Sequence, residues 1–151
     1  MLNEKEVLDF QKDWGDGIVS IGNTYNCGGD YKNESLDFIN RLYAYSNEKV
    51  FFKPTLASEV QFRLDLESAL SYFIGENESF PEDSGFAIKG WSSVRWQNIG
   101  IKIIDDIAIC MGNYFFMKNE EELKVEYTII LKKINGNLKM ILHDSHLPYS
   151  Q

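Results

Sequence analysis

Histidine and cysteine are scarce, two of each in 151 residues, and that scarcity removes several chemistries at the outset. A catalytic zinc site takes three protein ligands, commonly three histidines. His143 and His146 are too few, and at this spacing on a strand they point to opposite faces. A site of two cysteines and one histidine would need Cys27 and Cys110 to converge on one of them. The two cysteines form no CxxC pair and are too few for a disulfide framework, so they read as reduced thiols in a reducing compartment. Positive charge is also short: 15 Lys and Arg stand against 23 Asp and Glu, a net charge of -8. That balance argues against nucleic acid, which needs clustered Lys and Arg, and against an anionic membrane surface. No stretch approaches the ~18 apolar residues of a membrane span. The opening MLNEKEVLDF carries charge from its fourth residue and lacks the apolar run of a signal peptide, so the expected location is the cytoplasm. There is no GxSxG elbow, Walker loop or dinucleotide fingerprint, and no internal repeat. Acidic residues are plentiful, which leaves a carboxylate site for a hard divalent cation open.

Aromatic residues are plentiful at 14%, which suits either a Phe-heavy core or an aromatic-lined cavity. The length indicates one domain, residues 1–151. Val7, Phe10, Trp14, Ile18, Ile21 and Tyr25 recur every three or four residues, which predicts a first helix with one apolar face. Asn3 and Glu6 form the two halves of a capping box at its start. Gly15, Gly17 and Gly22 weaken that helix and imply close approach by another element. A second helix carries Leu36, Ile39 and Tyr43 on its inner face and breaks at Asn47. Val50 to Phe52 is a short strand stopped by Pro54. A third helix runs between a cap at Asp65 and a cap at Gly75, with Leu66, Ala69, Leu70 and Phe73 inward. The acidic segment Glu76 to Asp83 reads as a solvated connector. From Val94 the pattern becomes long strands: Val94–Ile104, Ile107–Met117, Leu123–Ile134 and Asn137–Leu147, with Asn135-Gly136 as a two-residue hairpin turn. Helices followed by an antiparallel meander define an α+β fold, in which a sheet curled by its own twist encloses a conical cavity.

The candidate polar residues are few. Lys53-Pro54-Thr55 reads as a strand-ending turn. Tyr72 sits beside the apolar stripe of the third helix, as a boundary tyrosine with a wet hydroxyl would. His143 and Ser145 share a face of the last strand with Ile141, so they are either buried and satisfied or line a cavity. The run His143-Asp144-Ser145 cannot be a catalytic triad, because strand neighbours face opposite ways.

An ordered set of segments carries a resemblance over nearly the whole chain. They are Phe52-Lys53-Pro54-Thr55, Gln61-Phe62-Arg63, Ser71-Tyr72-Phe73, Asp83-Ser84-Gly85-Phe86-Ala87, Met111-Gly112-Asn113-Tyr114, Val125-Glu126-Tyr127-Thr128 and His143-Asp144-Ser145-His146-Leu147-Pro148. Together they resemble the iota-class carbonic anhydrases, relatives of the calmodulin-dependent kinase II association domain within the NTF2-like superfamily. The resemblance implies a cone-shaped α+β fold, N-terminal helices on a curved antiparallel sheet, usually as a homodimer. It implies reversible hydration of carbon dioxide to bicarbonate with no metal and no other cofactor. It places catalytic hydroxyls at Thr55, Tyr72 and Ser145, and matches His143 to the first histidine of the family's His-His-Ser-Ser. Asp144 and His146 depart from that pattern, and alternation puts both on the face opposite His143 and Ser145. Hydroxyls can orient water and donate to nascent bicarbonate oxygens, while His143, with an ordinary value near ~6.5, is the expected proton acceptor or relay. Two other classes stay open. One is a non-enzymatic oligomerisation module. The other is a binder or isomerase of a small hydrophobic ligand, with Asp106 or Asp144 as a base opposite a tyrosine.

Overall fold

Helix α1, Glu4–Asn26, starts where Asn3 accepts from the Glu6 N–H and the Glu6 carboxylate accepts from the Asn3 N–H, the expected capping box. The computed structural model describes all residues, Met1–Gln151. The α1 face of Val7, Phe10, Trp14, Ile18 and Ile21 is buried, but Tyr25 is exposed and meets Tyr31 edge-on. The glycines of α1 do permit close approach. A Cβ on Gly15 would lie 3.0 Å from the Val94 Cβ, and one on Gly22 would lie 3.0 Å from the Ala87 carbonyl oxygen.

Helix α2, Tyr31–Leu42, is shorter than expected. It ends at Tyr43, which is already extended, and its buried residues are Ser35, Phe38, Ile39 and Leu42, with Leu36 only partly covered. The Tyr43 ring is therefore free to enter the core from a non-helical backbone. Strand β1 is Phe51–Lys53, and α3 is Leu66–Ile74 between the Asp65 and Gly75 caps. The inward face of α3 is Ser68, Ala69 and Ser71 to Ile74, and Leu66 and Leu70 sit at its margin. A short 3-10 turn, Phe86–Ile88, precedes the sheet.

Strands β2 (Ser93–Ile104), β3 (Ile107–Lys118), β4 (Glu121–Ile134) and β5 (Asn137–His146) form the expected antiparallel meander. The β3–β4 turn is tighter than the sequence implied, and Asn135-Gly136 both have positive φ, as a two-residue hairpin requires. The sheet is mixed, not wholly antiparallel: β1 pairs parallel with β5, giving the order β1-β5-β4-β3-β2. This edge pairing sets Phe52 opposite His143. Inward positions of β3, β4 and β5 alternate with outward ones, and the helices cover the inner face.

Candidate active site

Strand β5 supplies the floor. Ile141 has no partner on β4, because Ile130 pairs with Leu142 and Leu131 with Met140. That extra residue keeps Met140, His143 and Ser145 all buried, while Ile141 stays half-buried. Asp144 and His146 lie on the outer face, where His146 stands 3.3 Å from Glu126. Strand β3 adds Tyr114, and α3 adds Tyr72. Thr55 arrives just past the end of β1, on a segment held by a buried ion pair. Arg63 donates to Asp83 through both terminal nitrogens, at 2.7 and 2.8 Å, and its own backbone N–H donates to the Phe52 carbonyl at 2.7 Å. Ser71 also donates to Asp83, at 2.6 Å. The acidic connector is thus not simply solvated: the Asp83 side chain is fully buried, and Glu82 accepts from the N–H groups of Ser58, Glu59 and Val60.

The hydroxyls converge. Thr55 and Ser145 share a hydrogen bond of 2.6 Å, and Ser145 and Tyr114 share another of 2.6 Å. The Tyr114 hydroxyl also meets His143 Nε2 at 3.0 Å, while the Tyr43 hydroxyl meets Nδ1 at 2.9 Å. Trp14 Nε1–H donates to the Tyr43 oxygen at 3.1 Å. Tyr72 accepts from the Leu56 N–H at 3.2 Å. Thr55, Tyr72, Tyr114, His143 and Ser145, with Trp14, Phe52, Pro54, Phe73 and Phe86, line a cavity of about 10 Å³, at the lower limit for one water, and Tyr43 lies behind His143 outside that lining. No carboxylate and no lysine or arginine is among the lining residues.

Burial governs the ionisation of every titratable group here. It pushes the Tyr43, Tyr72 and Tyr114 phenols above the ordinary tyrosine range. The Leu56 N–H and Thr55 would stabilise a Tyr72 phenolate, and Ser145 a Tyr114 phenolate, which offsets part of this without fixing donor roles in the neutral site. Burial also lowers His143 to about 3, because an imidazolium would lose its hydration among aromatic rings. The imidazole is therefore neutral at physiological pH.

Of the four sequence-predicted residues, His143 and Ser145 are 2% and 1% exposed and Tyr72 is 5% exposed, while Thr55 is half-buried at the outer end. Tyr72 is no boundary tyrosine. Asp106 lies exposed in the β2–β3 turn and Asp144 on the outer face, so neither candidate isomerase base reaches the cavity. Sequence reasoning missed Tyr43, Tyr114 and Trp14. Tyr114 falls on the inward phase of β3 alternation, and Trp14 falls on the apolar stripe of α1, so each had a signal. Tyr43 was grouped with the inner face of the second helix, but that helix ends before it, so its reach to His143 had no signal.

The architecture is that of the NTF2-like proteins, with an enclosed hydroxyl site in the cone. The family description "Metal-independent carbonic anhydrase" matches residues 5–147. A metal-independent carbonic anhydrase from Nostoc sp. (strain PCC 7120) is 40% identical over 99% of this chain and 76% of its own length. The crystal structure of a cyanobacterial iota-carbonic anhydrase complexed with bicarbonate superposes with a TM-score of 0.95 at 37% identity, over 99% of this chain and 94% of that one. A calcium/calmodulin-dependent protein kinase II association domain homologue from Xanthomonas campestris shares the fold, with a TM-score of 0.65 at 20% identity over 99% and 91% of the two chains. The chain belongs to the metal-independent carbonic anhydrase family.

Proposed function

We propose that this protein catalyses the reversible hydration of carbon dioxide to bicarbonate, with Thr55, Tyr72 and Ser145 holding the reactants and no metal ion taking part. The observation that carries this reading is the meeting of those three side chains, from separate stretches of chain, in one small aromatic-walled cavity. Carbon dioxide is apolar and small, so aromatic walls suit it, and side chains at the Thr55 end must move outward to admit it together with a water, because the closed cavity of about 10 Å³ takes one water at most. Hydroxyls accept from water and donate to oxygen, so they can align a water with the carbon and then hold the developing anion.

In the step, the water oxygen bonds to the carbon, one carbon–oxygen π pair moves onto oxygen, and water gives up one proton. Nothing lining the cavity is suited to keep that proton at neutral pH. The phenols ionise too high to act as bases and His143 protonates only near 3. The proton leaves to solvent water or a buffer base. The bicarbonate product is held by neutral donors alone, since no cation lines the cavity, and that favours its release. A stopped-flow assay of the purified protein tests the reading in both directions. Catalysed hydration and catalysed dehydration are expected, and rates equal to buffer alone in both would overturn it.

A second copy of the chain is the proposed partner. Phe51, Phe62, Leu64 and Met111 are exposed, and Phe51, Phe62 and Leu64 border an apolar groove at the β1–β5 edge, which an isologous contact could cover. Sedimentation at a dimer mass is expected, and a monomer at micromolar concentration would contradict it. A cytoplasmic location is supported by the free Cys27 and Cys110, and no helix is long and apolar enough to cross a membrane. Cell fractionation tests it.

A further inference from the structure

The hydrogen bonds around His143 join into one line from the core to the cavity mouth. It runs through Trp14, Tyr43, His143, Tyr114, Ser145 and Thr55. All but Thr55 are buried. Only its innermost member has a fixed role, because an indole Nε1–H donates and cannot accept.

That role propagates outward. The Tyr43 oxygen receives the indole hydrogen, and the Tyr43 hydroxyl hydrogen must find an acceptor within the protein, because Tyr43 is fully buried and does not line the cavity. Its one other partner is His143 Nδ1, at 2.9 Å. If Nδ1 carried the imidazole proton, the Tyr43 hydrogen would be buried with nothing to accept it, which buried polar groups rarely tolerate. Nδ1 is therefore the acceptor and Nε2 carries the proton. Nε2–H then donates to Tyr114, Tyr114 donates to Ser145, and Ser145 donates to Thr55. Each hydroxyl has one hydrogen, so no link can reverse without leaving another unsatisfied.

We propose that Tyr43, anchored by Trp14, is a positioning residue for this site. It fixes His143 as the neutral Nε2–H tautomer and aligns the Tyr114, Ser145 and Thr55 hydroxyls so that the Thr55 hydrogen stays free to donate to an oxygen of the reactant. The last part of this rests on the carbonic anhydrase reading, and the tautomer does not. The arrangement gives the buried imidazole a use other than proton transfer: it turns the indole's fixed direction into donor order at the mouth. His143 touches no reactant in this scheme.

The tautomer can be read without turnover. The protein has only two histidines, and His146→Asn removes the second from the outer face, leaving one imidazole to observe. In 15N-histidine NMR at neutral pH, we expect Nδ1 to show the signature of an unprotonated ring nitrogen and Nε2 that of a protonated one. A protonated Nδ1, with or without a protonated Nε2, overturns the proposal. Tyr43→Phe is then compared with the parent in steady-state hydration. It keeps the ring and removes the hydroxyl, so kcat should fall about tenfold with KM little changed, as for one lost hydrogen bond. An unchanged kcat also overturns the proposal. Absence of hydration in the parent protein would refute the enzymatic reading alone, because the NMR result still decides the direction of the chain.

Discussion

Phe52 lies flat against His143, with ring centroids 4.9 Å apart and planes 13° from parallel. The parallel pairing of β1 with β5 puts them opposite one another, and with Trp14, Tyr43 and Tyr114 they wall the imidazole off from water. An unfolded histidine binds a proton near 6.5, whereas His143 resists it until about 3. Between those values the unfolded chain holds the extra proton, so stability is fully present above about 6.5 and declines as pH falls towards 3. Glu82, lowered to about 2 chiefly by backbone N–H groups, works in the same direction below its ordinary 4.5. Urea midpoints should drop steadily as pH is lowered from about 6.5 to about 4. A constant midpoint over that range would contradict a buried neutral imidazole. By the same reasoning the pH profile of kcat/KM should show no inflection near ~6.5 arising from this histidine.

Arg63 and Asp83 form a fully buried pair beside the segment that carries Thr55. Removing one partner strands the other charge away from water. Asp83→Asn should cost about 3–5 kcal/mol in chemical unfolding. Activity should fall with it, because the Arg63 backbone N–H ties this segment to the Phe52 carbonyl. A loss within about 0.5 kcal/mol, the range of ordinary surface changes, would show that the pair does not secure the site.

Thr55 and Ser145 are 90 residues apart in the chain and share one hydrogen bond. Thr55→Val and Ser145→Ala should each lower kcat/KM for hydration by about 100-fold, the scale of a lost donor to a developing oxyanion. The double variant should lose much less than the product of the two, because each single change already breaks the shared bond. Multiplicative losses would indicate independent roles. Full activity in either single variant would remove that residue from the site.

Tyr72→Phe isolates the third hydroxyl. The ring stacks on Phe86 and meets Phe52 edge-on, so the fold should stand, with thermal stability near that of the parent. Hydration should drop while the unfolding transition stays in place. Parent-level activity would assign Tyr72 to packing alone.

Much of the fold was legible because its signals are local. The Asn3–Glu6 box, the caps at Asp65 and Gly75 and the Asn135-Gly136 turn each act over a few residues, and all appear where expected. The end of α2 was not legible, since Tyr43 leaves the helix to bond His143, a contact 100 residues away. The parallel β1–β5 pairing also depends on distant partners. In the site, alternation correctly grouped His143 with Ser145 and set Asp144 and His146 outside. It could not show how deeply the imidazole is buried, and so an ordinary value near ~6.5 was a poor guide to its proton chemistry. The unpaired Ile141, which shifts the phase of β5, leaves no mark in the residue pattern.

Hydration of carbon dioxide after exhaustive chelation tests the central claim most directly. The fold gathers no group of three or more His, Cys, Asp or Glu side chains that could hold a metal ion. Stopped-flow rates before and after chelation, and after adding back zinc, magnesium or manganese, should agree within error. Activity lost on chelation and restored by one of those ions would contradict a site that works through hydroxyls alone.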